Sequence, residues 1–446
     1  MTITSPATLS GGVGILLCAF VAGAQTPLTL RDAIREVRLN SDETRIIHEK
    51  SAKLEAMKSE LWAAALPNVS AYANAGRGAT PFNLGSLPLP GDSSGSMPSV
   101  YSTTQNTFNY GIQVQQTLFS PSLGQSIVTA GRQLRSQDAA NRRAVQELEL
   151  QTLDAFYNVI IAETKLKVLD ASIERQTKTV AFLESNFSRG AGARSNLLLT
   201  SASLKALTPE RIRADRDADA ARMAFNRLLG RPIDAPLVLD TTVTLDAPAQ
   251  AVGKNALDNR PDLEAIRLQK ETLQGYARVY RLQYLPAIGV QGKVGIMAYE
   301  LGEQLTDFDN NLDWQVGVGL TWSLFDGLGN RAKARQYDSD VRTLAANERQ
   351  ARAYAEIELE SAHREILAAD TAYLAALQAR DASSEALDLI SQDFRAGSGQ
   401  LTDLLAAEEG LRNAELSLLA ARYQKVRAAA ALHLAMGMDL TKETSK

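Results

Sequence analysis

The residue types that do chemistry are all present in this chain, but they are not grouped for it. His48, His363 and His433 stand far apart and none has a second ligand at helical spacing, so no metal site is expected. The glycine clusters "GRGAT" and "GAGARS" lack the following Lys-Ser/Thr of a phosphate loop, and no nucleophile stands beside a base. Carboxylates are numerous, yet no pair is marked out for general acid–base work, and they read as facing water. Cys18 is the only cysteine, which leaves no disulfide within the chain. Neither an enzymatic activity nor a cofactor is expected.

Composition narrows the partners. The formal net charge of −4 provides no basic excess to neutralise phosphates, so nucleic acid is not expected. With 446 residues, 45% of them hydrophobic, the chain has material for a sizeable core. No charged residue precedes Arg31, and "GVGILLCAFVAGAQ" is a short apolar run ending in Ala22-Gly23-Ala24, the pattern of an export signal. Residues 1–24 are therefore expected to be a signal peptide cleaved after Ala24. Acylation at Cys18 is the alternative, although Leu17 stands where a lipoprotein signal has a small residue.

The elements that would position any site are written twice. "NFSRGAGARSNLL" from Asn186 and "DFRAGSGQLTDLL" from Asp393 are glycine-rich breaks of one shape, each between long stretches that read as helix. "LPNVSAYANAG" from Leu66 matches "LPAIGVQGKVG" from Leu285, Phe119 falls on Phe325, and Gly230 falls on Gly437. Two structural repeats are expected, over 25–240 and 241–438, with a tail over 439–446. Each runs helix, strand, loop, strand, very long helix, corner and return helix. The first carries an extra loop rich in Gly, Pro and Ser, "PFNLGSLPLPGDSSGSMPSVYSTTQN".

The expected strands lie at about 67–78, 105–119, 286–298 and 313–325. In the second, Phe108, Tyr110, Ile112, Val114 and Leu118 alternate with Asn109, Gly111, Gln113, Gln115 and Thr117; in the fourth, Trp314, Val316, Val318, Leu320, Trp322 and Leu324 alternate with small or polar residues. One apolar and one polar face, sustained this long, fits a transmembrane barrel with lipid outside and water inside. Phe108, Tyr110, Trp314 and Trp322 are expected near strand ends, as interfacial girdles. Four strands cannot close a membrane barrel, and open edges are not tolerated in lipid, so other copies must supply the rest. A soluble antiparallel sheet covered by helices is the alternative.

From Gln125 to Phe187 the only helix breaker is Gly131, and from Asn330 to Phe394 there is none. Each stretch would extend roughly 90 to 100 Å as a helix, too long for a globular domain, so antiparallel coiled coils are expected. Leu166, Ile173, Val180 and Phe187 follow a seven-residue step with Leu169 and Leu183 interleaved, as do Leu404, Leu411 and Leu418. Gly190, Gly192, Gly397 and Gly399 supply the backbone freedom for hairpin tips at 187–196 and 394–403. Ser195 or Asn196, and Thr402 or Asp403, are expected either to cap the return helices or to sit in their first turns.

In this order the motifs resemble the TolC-type outer membrane efflux protein family, from about Leu28 to Met438. The likeness rests on "LTLRDAIREVRLNSDE", the "LP" before the first strand of each half, "TLFSPSLG" and "SLFDGLG" at the strand-to-helix joins, "FRAGSGQLTDLLAAEEGLRNAELSLLAARYQ" through the corner and "AMG" at the close. The resemblance implies an α/β membrane protein: a homotrimer giving four strands per protomer to a twelve-strand barrel, continued by an α-helical barrel across the periplasm. It implies a passive exit duct that docks onto a periplasmic adaptor protein and an inner-membrane pump, either a proton-driven efflux pump or an ABC transporter of type I secretion. The family's first entrance aspartate falls on Asp403; the second, three residues on, falls on Ala406, and the first-half equivalent is Asn196. Adaptor docking, carried over from the family, falls on Arg189, Gly190 and Ala191 at one tip and on Arg395, Ala396 and Gly397 at the other. The alternative function is a periplasmic coiled-coil protein, structural or adhesive, without a channel.

Overall fold

A computed structural model describes residues 27–83, 100–241, 254–299, 306–307 and 309–440. The expected signal segment, most of the extra loop and the last six residues lie outside these. Four strands, β1 (Asn68–Asn83), β2 (Val100–Phe119), β3 (Ala287–Ala298) and β4 (Leu312–Thr321), form one antiparallel sheet in sequence order. The helices are α1 (Leu30–Asn40), α2 (Asp42–Ala63), α3 (Pro121–Ser188), α4 (Arg194–Leu229), α5 (Pro261–Leu282), α6 (Gly329–Ala396) and α7 (Leu401–Ala435). Among the described helices none is long and apolar enough to cross a membrane.

Strand alternation becomes rows across the sheet. Ala71, Ile112, Val294 and Trp314 pair in one row, and the adjacent row is Ser70, Gln113, Lys293 and Gln315. The apolar face is bare in the single chain: Val69, Ile112, Val294, Trp314, Val316, Val318 and Leu320 are all exposed.

Three strand limits differ from the sequence reading. β1 and β2 continue to Asn83 and Val100, so Pro81 and the stretch from Val100 to Asn106 belong to strands and not to the loop. Pro81 stands opposite Ser102, two residues before β1 ends. Phe108 and Tyr110 consequently lie inside β2; they stand level with the end of β3, where Phe108 pairs with Ala298. β4 stops at Thr321, not at Phe325, because its partner β3 begins at Ala287 and leaves Trp322 nothing to pair with. The Trp322 indole instead donates to the Tyr284 carbonyl at 2.9 Å.

The helical part is built from two pairs. α3 and α6 both have 68 residues, about 100 Å each. They return as α4 and α7, of 36 and 35 residues. The ends of the return helices dock on the start of their own half. An added Cβ at Gly230 would lie 2.7 Å from the Asn40 carbonyl oxygen, and one at Gly437 would lie 2.9 Å from that of Asn259; both glycines have positive φ. Above these turns lie two apolar cores. Val37, Leu153, Phe156, Phe225 and Leu229 form one, joining α1, α3 and α4. Leu359, Ala362, Leu432 and Ala435 form the other, joining α6 and α7.

On α3 the heptad reading is doubled. Leu169, Ser172, Gln176 and Leu183 are buried within the chain, whereas Leu166, Ile173 and Val180 are half-buried and Phe187 is exposed. One seam is packed within the chain, and the adjacent one is only half covered.

Candidate functional site

The two hairpin tips are the same backbone device. At the first, Ala191 N–H donates to Asn186 O at 2.9 Å and Gly190 N–H to Phe187 O at 2.9 Å; at the second, Ser398 N–H donates to Asp393 O at 3.0 Å and Gly397 N–H to Phe394 O at 3.1 Å. This is a Schellman arrangement, which satisfies helix-end carbonyls and needs a left-handed residue. Gly190 and Gly397 supply it, with φ of 73° and 84°. Arg189, Gly190, Ala191, Arg395, Ala396 and Gly397 are all exposed there. The Arg189 guanidinium folds back onto Ser185, its Nε donating to that residue's carbonyl at 3.1 Å.

None of the four polar residues beyond the corners is a cap. The N-cap positions are Ala193 and Gln400, neither with a side-chain bond, and Ser195, Asn196, Thr402 and Asp403 sit in the first turns. Asp403 is exposed and has no ion-pair partner among the described residues. The helix N-terminus is favourable for its charge.

Between the hairpins the packing changes character. Phe182 of α3 meets Phe394 of α6 edge to face, centroids 6.1 Å apart. Leu387, Leu404 and Leu411 form a small core between α6 and α7. Beside it lies a cavity of about 450 Å³ lined by Arg175, Thr179, Asp388, Arg395 and Glu408, among others. Glu408 is only 3% exposed. Burial raises its pKa above the ordinary 4.5, against the lowering effect of hydrogen bonds from Gln176 and Thr179 and the charges of Arg175 and Arg412. Sequence reading passed over Glu408, since only the packing of α3 against α7 reveals that this member of a Glu-Glu pair points inward.

The polar face of the sheet is mostly Asn, Gln, Ser, Thr and Gly. Lys293 pairs with Asp313 at 2.8 Å on that face. Tyr72, Gly111 and Gly295 share a row, and the Tyr72 hydroxyl lies 2.9 Å from where a Gly295 Cβ would stand, so the glycines leave room for the ring. His48, His363 and His433 are on α2, α6 and α7, and no group of His, Cys, Asp and Glu among the described residues is arranged to hold a metal.

Comparison with known proteins adds an independent line. Residues 55–231 and 252–438 each match the profile of the family described as "Outer membrane efflux protein". The chain is 22% identical over 339 residues to outer membrane protein TolC of Vibrio cholerae, covering 73% of this chain and 76% of that protein. It is 25% identical over 231 residues to alkaline protease secretion protein AprF of Pseudomonas aeruginosa, a match over 50% of this chain that spans about half, 48%, of the relative's length. Its fold is similar to that of the CmeC outer membrane channel of Campylobacter jejuni, with a TM-score of 0.78 and 14% identity, over 100% of this chain and 95% of that one.

Proposed function

The chain belongs to the outer membrane efflux protein family, a family of outer-membrane channels and not of enzymes, and on that premise we propose that it is one third of a passive exit duct. It resides in the outer membrane and extends into the periplasm. Three copies supply four strands each to one barrel, and their helical hairpins line up as the periplasmic tunnel. Residues 25–240 and 241–438 are its two repeats, and equal helix lengths and the matched tips support that reading.

One observation carries the assembly: among the described residues the four-strand sheet has an apolar face bare to its surroundings, and β1 and β4 each keep one edge unpaired. An unpaired edge in lipid costs several kcal/mol per backbone group, so the edges must meet across copies. The free edges are different surfaces, a head-to-tail contact that closes into a ring. The helices repeat the pattern, with Ile46, Trp62, Leu198 and Ile212 exposed on α2 and α4, and Tyr354, Ile357, Leu367 and Leu374 exposed on α6.

In this reading Asp403 lines the tunnel entrance as a ring of three carboxylates, and the six tip residues receive a periplasmic adaptor tied to an inner-membrane pump. The relative named for alkaline protease secretion supports a protein-secretion partner; the TolC relatives leave small-molecule efflux equally open. Photo-crosslinkers placed at Arg189 and Arg395 in cells should capture a periplasmic adaptor. Capture at neither position, in cells where the duct is exporting, would remove the docking assignment.

A further inference from the structure

The seam between α3 and α7 contains a buried acid that the duct itself does not require. Apolar residues flank it, Leu169 and Leu183 on α3 and Leu404 and Leu411 on α7. Between them Glu408 faces Gln176 and Thr179 as hydrogen-bond partners, yet its Oε2 has none. Arg175 of α3 lines the same cavity and its charge acts on Glu408, yet its buried Nε and Nη2 are also without partners, so acid and base share the space without closing an ion pair. The remaining charges facing this space are Lys178 from α3, Asp388 and Arg395 from α6, and Arg412 from α7 itself.

An ionised carboxylate left partly unsatisfied in such packing is costly, and the same group protonated costs less. The sign follows from burial. Packed against α3, Glu408 holds its proton above 4.5; separated, water reaches it and the affinity falls back. Proton uptake therefore favours the packed seam, and that contribution is lost as pH rises through the elevated pKa. Because α7 belongs to one hairpin and α3 to the other, this seam decides how far apart the two tips stand.

We propose that Glu408 is a proton-operated latch between the two hairpins, holding α7 against α3 when neutral and easing their separation when ionised. Its consequence, a tunnel mouth that widens as the periplasm becomes less acid, rests on the duct reading; the latch itself does not.

The test places spin labels at Ala191 and Ser398, both exposed at the tips, in the full-length protein with Cys18→Ser, held in detergent. Tip-to-tip distances are measured by pulsed EPR from about pH 4 to about pH 8, the range that brackets a raised carboxylate. The distance should lengthen as pH rises in the parent protein. Glu408→Gln, which cannot ionise, should keep the short acid-state distance throughout, and Glu408→Asp should restore a transition. Asp403→Asn should leave the transition in place. A parent distance that does not respond to pH, or a Glu408→Gln variant that titrates like the parent, would overturn the latch. Conductance recorded from the same variants separates the two ideas: a pH-dependent distance with no conductance at any pH would remove the duct and leave the latch standing.

Discussion

Asp403 and Glu408 lie five positions apart on one helix and face opposite environments, and that difference sets what each can do. Asp403 is exposed, so its effect on permeating ions is long-ranged and screened. At roughly 10 Å in water one unit charge contributes about 0.4 kcal/mol, and three give about 1 kcal/mol, a several-fold bias toward cations that fades at high salt. Asp403→Ala should lower the cation-to-anion permeability ratio in planar bilayers several-fold at low salt and little at high salt; an unchanged ratio would remove the ring. Asp403 was singled out by the family resemblance, within "LTDLL" just after a corner marked by two glycines. Glu408 was not, because burial of a charged residue depends on which turn of α7 meets α3. The clasp of Glu149, whose Oε2 accepts from Leu440 N–H at 2.9 Å, was hidden for the same reason: its partner is 291 residues away.

Among the elements, the corners show how much conformational demand a sequence can reveal. Gly397 is required by its φ, and Gly399 by space, since an added Cβ would lie 2.8 Å from Phe394 N and 3.1 Å from Phe394 Cα. Both contacts are backbone and cannot swing away. At Gly192 the matching contact with Phe187 N is 3.1 Å, so the first tip is looser. Gly399→Ala should therefore destabilise its tip by about 1–3 kcal/mol, the usual range for forced overpacking, and Gly192→Ala by less. Amide exchange over residues 393–404 in Gly399→Ala, and over residues 186–197 in Gly192→Ala, checks this: roughly tenfold faster per 1.4 kcal/mol, with the long helices unchanged, is expected. Equal exchange in the two variants would contradict the ranking. Strand parity was legible too, since a two-residue period needs no knowledge of the partner. Strand ends were not: the period runs on through Trp322 and Leu324, but pairing stops at Thr321 where β3 runs out. Of the two places open to Ser195, Asn196, Thr402 and Asp403, cap or first turn, the structure takes the first turn, because the return helices already begin at Arg194 and Leu401.

For the whole molecule, the central claim is that one chain is an arc and not a closed body. Among the described residues its sheet has two free edges and its apolar face has no cover, while α3 keeps a second, half-buried seam. In the proposed duct those surfaces are covered where identical copies meet edge to edge around an axis. The most direct measurement is the mass of the protein particle in detergent, by light scattering with the detergent contribution subtracted. The account predicts three copies of a chain of 48.2 kDa, less any leader removed, with precipitation when detergent is withdrawn. A single copy that stays in solution without detergent would contradict it.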